Sequence, residues 1–215
     1  VGYENQGEVL SSGTVGGGWS VTLKESWSKS GSSKKGIGMS KLLVVNLYAG
    51  PGAGKSTVAA GVFHNIKKLH ISAELIGEYA KNVVWRGDLT TLGDQIYVLG
   101  KQHHRQFVLE GKCDVAVTDS PILLSCIYNK MYTNYLNLES LALEAFHRYD
   151  NLNFVIQRES DYHAEGRVQN EEDARRVDVS LVDFLHRIDV PYTTVTLDSA
   201  IPTIVGTVQK RLGLA

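Results

Sequence analysis

A mostly apolar run that empties into a glycine-rich turn closed by Lys-Ser-Thr constrains this chain more than any other feature. The segment from Leu42 to Thr57 reads LLVVNLYAGPGAGKST. A buried strand feeding such a turn, with a helix opening at its far side, builds a cradle of backbone amides. Ala49, four intervening residues and then Gly54-Lys55-Ser56 match the Walker A spacing, with Ala49 where the first glycine usually stands. Each part has a physical task. Gly50, Gly52 and Gly54 let N–H groups close around phosphate oxygens. Lys55 reaches the β- and γ-phosphates, and the Ser56 hydroxyl can ligate Mg²⁺. The nucleotide-binding set is therefore Gly50, Pro51, Gly52, Ala53, Gly54, Lys55, Ser56 and Thr57, with ATP and Mg²⁺ as the implied ligands.

The bulk properties narrow the setting. A chain of 215 residues can bury one good core. Its formal net charge of −1 supplies no broad basic field, which argues against a polynucleotide partner. Cys113 and Cys126 are the two cysteines, in neither a metal-binding nor a redox spacing, so no disulfide framework or structural metal is expected. Apolar runs are strand-sized and far short of a membrane span, and the N-terminus lacks the apolar core of a signal peptide. The expected setting is the cytoplasm of a bacterial or phage-infected cell, without a membrane partner. The oligomeric state, including self-association as a homo-oligomer, is not set by the sequence.

Residues 1–38 differ from the remainder. They hold nine of the 21 glycines, many serines and no sustained periodicity. Lys34-Lys35-Gly36 must be encoded by a purine run resembling a bacterial ribosome-binding site, a few bases before the Met39 codon. Residues 1–38 thus read as translated leader or disordered segment, against a hairpin around Trp19 to Trp27, and residues 39–215 as the domain.

From Lys41 onward strand and helix signals alternate. Strands are expected at Leu42 to Tyr48, Ser72 to Ile76, Asp114 to Asp119, Asn153 to Arg158 and Tyr192 to Leu197. Helices are expected from Lys55 to about Leu69, Asp94 to Glu110, Glu171 to about Ile188 and Ile201 to Leu212, with a loop around Gly87 to Gly93. Ile96, Leu99, His103 and Phe107 recur at helical spacing and predict the buried stripe of the long central helix. The alternation predicts an α/β fold with a parallel sheet covered on both faces and ligand sites at the strand C-termini.

Asp119 ends an apolar strand, where a carboxylate can hold Mg²⁺ beside the phosphate loop or polarise an acceptor hydroxyl; Asp119 or Ser120 as a helix cap is the plainer alternative. Glu78 follows the second strand on the same rim and suits a sugar hydroxyl, while Tyr79 can stack on a base. Gln95, near a helix start, can reach an acceptor base, and Arg86 can clamp an acceptor phosphate. Arg158 and Arg167 flank a polar, glycine-bearing stretch suited to closing over phosphates and neutralising charge in transfer. Arg175 and Arg176 sit four residues after Glu171 and Glu172, the orientation of ordinary helix ion pairs.

Taken in order, AGPGAGKST, EYAK at Glu78 to Lys81, DQIYVLGKQ at Asp94 to Gln102, TDSP at Thr118 to Pro121 and RESDYHAEGRVQ at Arg158 to Gln169 resemble the small P-loop nucleoside and nucleotide kinases. Phage-encoded kinase-like AAA-type ATPases and the ribosylnicotinamide kinase domain are the particular likenesses. The resemblance implies a three-layer α/β/α P-loop NTPase fold with five parallel strands in the order 2-3-1-4-5. It further implies ATP at the phosphate loop and a small nucleoside, nucleotide or ribosyl acceptor between the regions of Glu78 and Gln95. Catalytic roles then fall to Lys55, Asp119, Arg158 and Arg167. Ribosylnicotinamide phosphorylation and a slowly hydrolysing nucleotide switch are the alternatives.

Overall fold

The computed structural model describes residues 41–158 and 171–214, all within the unit Met39–Ala215. The readings of residues 1–38 as leader, disordered segment or hairpin, and of Arg167, fall outside the described residues.

Five parallel strands form one sheet in the order β2-β3-β1-β4-β5: β1 Leu43–Tyr48, β2 Ala73–Ile76, β3 Val115–Thr118, β4 Asp150–Ile156 and β5 Thr193–Val195. This is the expected α/β fold and strand order. Every residue of β1 is buried, as a central parallel strand covered on both faces must be. Alternation sorts its side chains: Leu43, Val45 and Leu47 join the core under α1 (Lys55–Lys68) and α8 (Leu197–Arg211). Val44 and Tyr48 face the opposite core, built with α5 (Leu124–Tyr132), α6 (Leu138–His147) and α7 (Glu171–Arg187). Each buried Val or Leu contributes about 1.5–3 kcal/mol, so both faces are needed to hold the layers.

Asn46 is the polar exception in β1, only 2% exposed. Its Nδ2 donates to Asn151 Oδ1 at 2.9 Å and to Asn153 Oδ1 at 3.1 Å, and Asn153 Nδ2 donates to Pro191 O at 3.0 Å. A satisfied network of this kind fixes the β1–β4 register, because a slip would strand buried amides.

Several elements depart from the sequence expectation. The stretch around Gly87 to Gly93 is not all loop: α2 (Tyr79–Trp85) precedes it and α3 (Leu89–Gly93) occupies its second half, capped by Asp88 accepting from Thr91 N. α5 and α6 are not among the helices expected from sequence. The last helix starts at Leu197, four residues before the expected Ile201. A capping box between Thr196 and Ser199 starts the helix there and shortens β5. Among the described residues no helix is long and apolar enough to cross a membrane.

The long helix α4 (Gln95–Phe107) is rotated from its expected face. Ile96 and Phe107 are exposed, whereas Gln95, Val98, Leu99, Gln102 and Gln106 are buried. Three glutamines therefore line the inward stripe. A hydrophobicity pattern ranks them as solvent-facing, yet Gln102 finds tertiary partners for both its amide atoms and Gln95 for its Nε2.

Candidate nucleotide and acceptor site

Register brings the candidate residues to one rim. Asn46 of β1 and Ile76 of β2 both lie opposite Thr118 of β3, so the phosphate loop after Tyr48, Glu78 after β2 and Asp119 after β3 leave the sheet on the same side. This is the C-terminal edge, where open parallel sheets place ligands.

The loop from Ala49 to Gly54 owes its shape to two different demands on glycine. Gly54 takes φ +84° as the N-cap of α1, in the left-handed region that disfavours other residues. Gly50 is required for close approach instead: a Cβ there would lie 2.4 Å from the backbone oxygen of Ala174 in α7. α1 has no side-chain cap and no acid in its first turn, in contrast to α3, α4 and α8, whose caps accept from backbone amides. Its first-turn amides and its dipole are thereby left for an anion.

Lys55 folds onto the loop, donating from Nζ to Ala49 O at 2.8 Å and Gly50 O at 2.9 Å. Burial pushes its pKa below the ordinary lysine value, offset in part by the carboxylates of Glu78, Asp119 and Asp178 and reinforced by Arg158. An ammonium held at that cost gains from an arriving polyanion, which would restore its preference for charge.

A cavity of about 260 Å³ adjoins the loop. Its lining includes Pro51, Gly52, Gly54, Lys55, Ser56 and Thr57 of the loop and α1 together with Glu78, Gln95, Ser120, Tyr128 and Tyr132. Ser120 therefore faces the cavity; α5 starts at Leu124 without a side-chain cap, so neither Asp119 nor Ser120 caps it. Ser120 N donates to Thr118 Oγ1 at 3.1 Å. Tyr79 and Arg86 are not among the lining residues. Tyr79 packs edge-on against Tyr97 at 5.8 Å and under Arg105 at 5.3 Å. A hydrogen bond from the Tyr97 phenol, aided by Arg86, lowers the Tyr79 pKa. Tyr79 is half-buried and Arg86 exposed.

Four buried side-chain atoms lack a hydrogen-bond partner among the described residues: Tyr48 Oη, Gln95 Oε1, Asp119 Oδ1 and Arg158 Nη1. Native folds rarely leave such atoms unsatisfied, and three of the four belong to residues singled out from sequence. Asp119 is 6% exposed and close enough to Lys55 to raise its pKa. With the Ser56 hydroxyl it offers hard oxygen donors, which fit Mg²⁺. Gln95 is 2% exposed and donates Nε2 to Leu92 O at 2.8 Å, leaving Oε1 as a fixed, unmet acceptor.

Arg158 lies two residues beyond β4, and its Nε donates to Asp178 Oδ2 at 2.8 Å while its Nη2 donates to Pro51 O at 2.8 Å. The guanidinium is thus joined to the phosphate loop. Arg175 and Arg176 form exposed ion pairs with Glu171 and Glu172, as their spacing predicts.

Sequence reasoning passed over two residues. Gln102, outside the predicted site set, is 4% exposed; its Oε1 accepts from Tyr79 N at 3.0 Å and its Nε2 donates to Thr118 Oγ1 at 3.4 Å. It ties the start of α2, and with it Glu78, to the corner that carries Asp119. Asp178 accepts from the Gly50 amide and from Arg158. No local pattern marked either one, because both partners lie far off in sequence.

Solved structures similar in fold include deoxyadenosine kinase from M. mycoides with dCMP and a flexible dCDP, at 16% identity, covering 80% of this chain and 100% of that one, TM-score 0.49. The same kinase with dATP matches at 17% identity over 79% and 99%, TM-score 0.49. APS kinase CysC from Mycobacterium tuberculosis matches at 16% identity over 81% and 99%, TM-score 0.42. No curated protein matches the chain significantly in sequence. A family model described as an AAA domain matches residues 44–200, most of the chain, and its span takes in the phosphate loop, Glu78, Gln95, Asp119, Arg158 and Asp178. The chain therefore belongs to the AAA domain family.

Proposed function

We propose that this protein binds Mg-ATP at the phosphate loop and transfers its terminal phosphoryl group to a hydroxyl of a small nucleoside, nucleotide or related ribosyl acceptor. The carrying observation is that Asp119 Oδ1, Gln95 Oε1 and Arg158 Nη1 are buried without a partner among the described residues, while Gln95 and Ser120, the neighbour of Asp119, line the same cavity as the loop. In this reading Lys55 and the first-turn amides of α1 hold the phosphates. Ser56 and Asp119 hold Mg²⁺, which when bound would neutralise charge on the phosphate oxygens. Arg158 is the built-in cation on the loop, with Nη1 the donor left for phosphate. Arg167 is retained as a second cation on sequence grounds.

On the acceptor side Glu78 orients the hydroxyl, and Gln95 Oε1 accepts from a donor on the base or its equivalent. The aromatic rings of Tyr128 and Tyr132 give that end a flat apolar wall. Tyr79 and Arg86 serve the mouth, where a charged extension of the acceptor would sit. Catalysis in such a site comes from positioning and charge stabilisation, with little covalent chemistry required of the protein.

The test is a screen of nucleosides, nucleoside monophosphates and ribosylnicotinamide with Mg-ATP, reading phosphorylated product by mass. Product with one acceptor, abolished by Lys55→Ala, supports the proposal. Nucleotide binding without product from any acceptor contradicts it and favours a nucleotide-dependent switch.

A further inference from the structure

Gly50 meets α7 at two points, the backbone oxygen of Ala174 and the carboxylate of Asp178. We propose that Asp178, on α7, is a positioning residue that holds the phosphate loop in its binding shape. Its two carboxylate oxygens have separate tasks: Oδ1 accepts from the Gly50 amide and Oδ2 accepts from Arg158 Nε at 2.8 Å. Arg158 completes the latch by donating Nη2 to Pro51 O at 2.8 Å. One carboxylate thus fixes consecutive loop residues, one directly and one through a guanidinium whose side chain is only 5% exposed.

Close packing makes the contact specific. The absent Cβ of Gly50 leaves room for Ala174 O, Asp178 Oδ1 and Arg158 Nη2, which would lie 2.4, 2.9 and 3.2 Å from it. The Gly50 amide is spent on Asp178, so the amides left for phosphate are those further along the loop and in the first turn of α1. Asp178 also sits near enough to Lys55 to favour its charged form. The latch therefore sets both the outline of the cradle and the charge beneath it. A carboxylate that bridges an amide and a guanidinium makes charge-assisted hydrogen bonds, the strong class, and a buried guanidinium losing its partner is a costly defect.

The effect on nucleotide affinity rests on the nucleotide-binding reading above; the effect on the loop does not. Two measurements separate them. Hydrogen exchange of the loop peptide, without ligand, is compared between the wild type, Asp178→Ala, Asp178→Asn and the surface control Glu172→Gln. Calorimetry then gives the Kd for Mg-ATP of the same proteins. Asp178→Ala should exchange its loop amides faster by ~10-fold or more and weaken Mg-ATP by ~10- to 100-fold, the scale of a lost charge-assisted bond. Asp178→Asn keeps an acceptor for Gly50 but sets an NH₂ against Arg158, so its losses should be smaller. Glu172→Gln should match the wild type in both.

Unchanged loop exchange in a folded Asp178→Ala overturns the proposal. If that variant fails to fold, Asp178→Asn with wild-type exchange and affinity overturns it equally. Faster exchange in a set of proteins that bind no nucleotide at all sustains the latch and refutes the nucleotide reading instead.

Discussion

Replacing Gly50 with alanine is the sharpest mechanical test of how the loop is held. The added methyl would sit 2.4 Å from Ala174 O, a backbone atom in a helix that cannot yield as a side-chain tip does. Loop and helix must part by most of an ångström. Overpacking of that kind costs about 1–3 kcal/mol. Parting them also breaks the bond from the Gly50 amide to the Asp178 carboxylate, a charged acceptor worth about 1.5–3 kcal/mol. Together these give about 3–5 kcal/mol, which for a domain of this size lowers the melting temperature by roughly 6–20 °C. Circular dichroism melts of the variant and of Gly100→Ala provide the measurement. Gly100 lies in α4 with nothing near its absent Cβ, so alanine there should hold or raise stability by up to ~1 kcal/mol. A Gly50→Ala protein melting within ~2 °C of the wild type would refute the reasoning.

Three further outcomes follow from the geometry. Gln102→Leu leaves the Tyr79 amide without its acceptor and should cost about 1–3 kcal/mol, seen as a lower denaturation midpoint; an unchanged midpoint would remove Gln102 from the rim's framework. Lys55 carries a lowered pKa, so its charged form is disfavoured in the free fold and that penalty is relieved as pH rises through the lowered value. A bound triphosphate favours the charged form, so nucleotide affinity should be flat below that value and fall as pH rises through it; affinity that climbs with alkaline pH contradicts the assignment. Asp119→Asn should lower turnover by ~10²-fold or more and blunt the Mg²⁺ dependence of binding, both measured by titrating the metal at fixed nucleotide.

What was legible in the sequence was whatever local rules govern. The Leu42–Thr57 segment carries its own instructions, because an apolar strand, the loop glycines and an opening helix need no distant partner to be read. Strand order came through resemblance and agrees with the structure. The inward face of α4 differs from the hydrophobic stripe because such a stripe is only a proxy for burial, and Gln102 is buried with both its amide atoms hydrogen-bonded. The start of α8 lies four residues earlier than expected because Thr196 and Ser199 form a capping box. Gly50 was read as freeing an amide for phosphate, whereas that amide is bound by Asp178, 128 residues away in sequence. Contacts of that range leave no periodic trace. Asp178 is one acidic residue among several on an amphipathic helix, and only tertiary structure separates it from its solvated neighbours.

Titration calorimetry of the purified protein with ATP, with and without Mg²⁺, bears most directly on the whole account. Saturable, magnesium-dependent uptake of one nucleotide per chain, lost in Lys55→Ala while that variant melts as a folded protein, is the predicted result. No heat of binding with ATP or with any other nucleoside triphosphate, from protein shown to be folded, would contradict it.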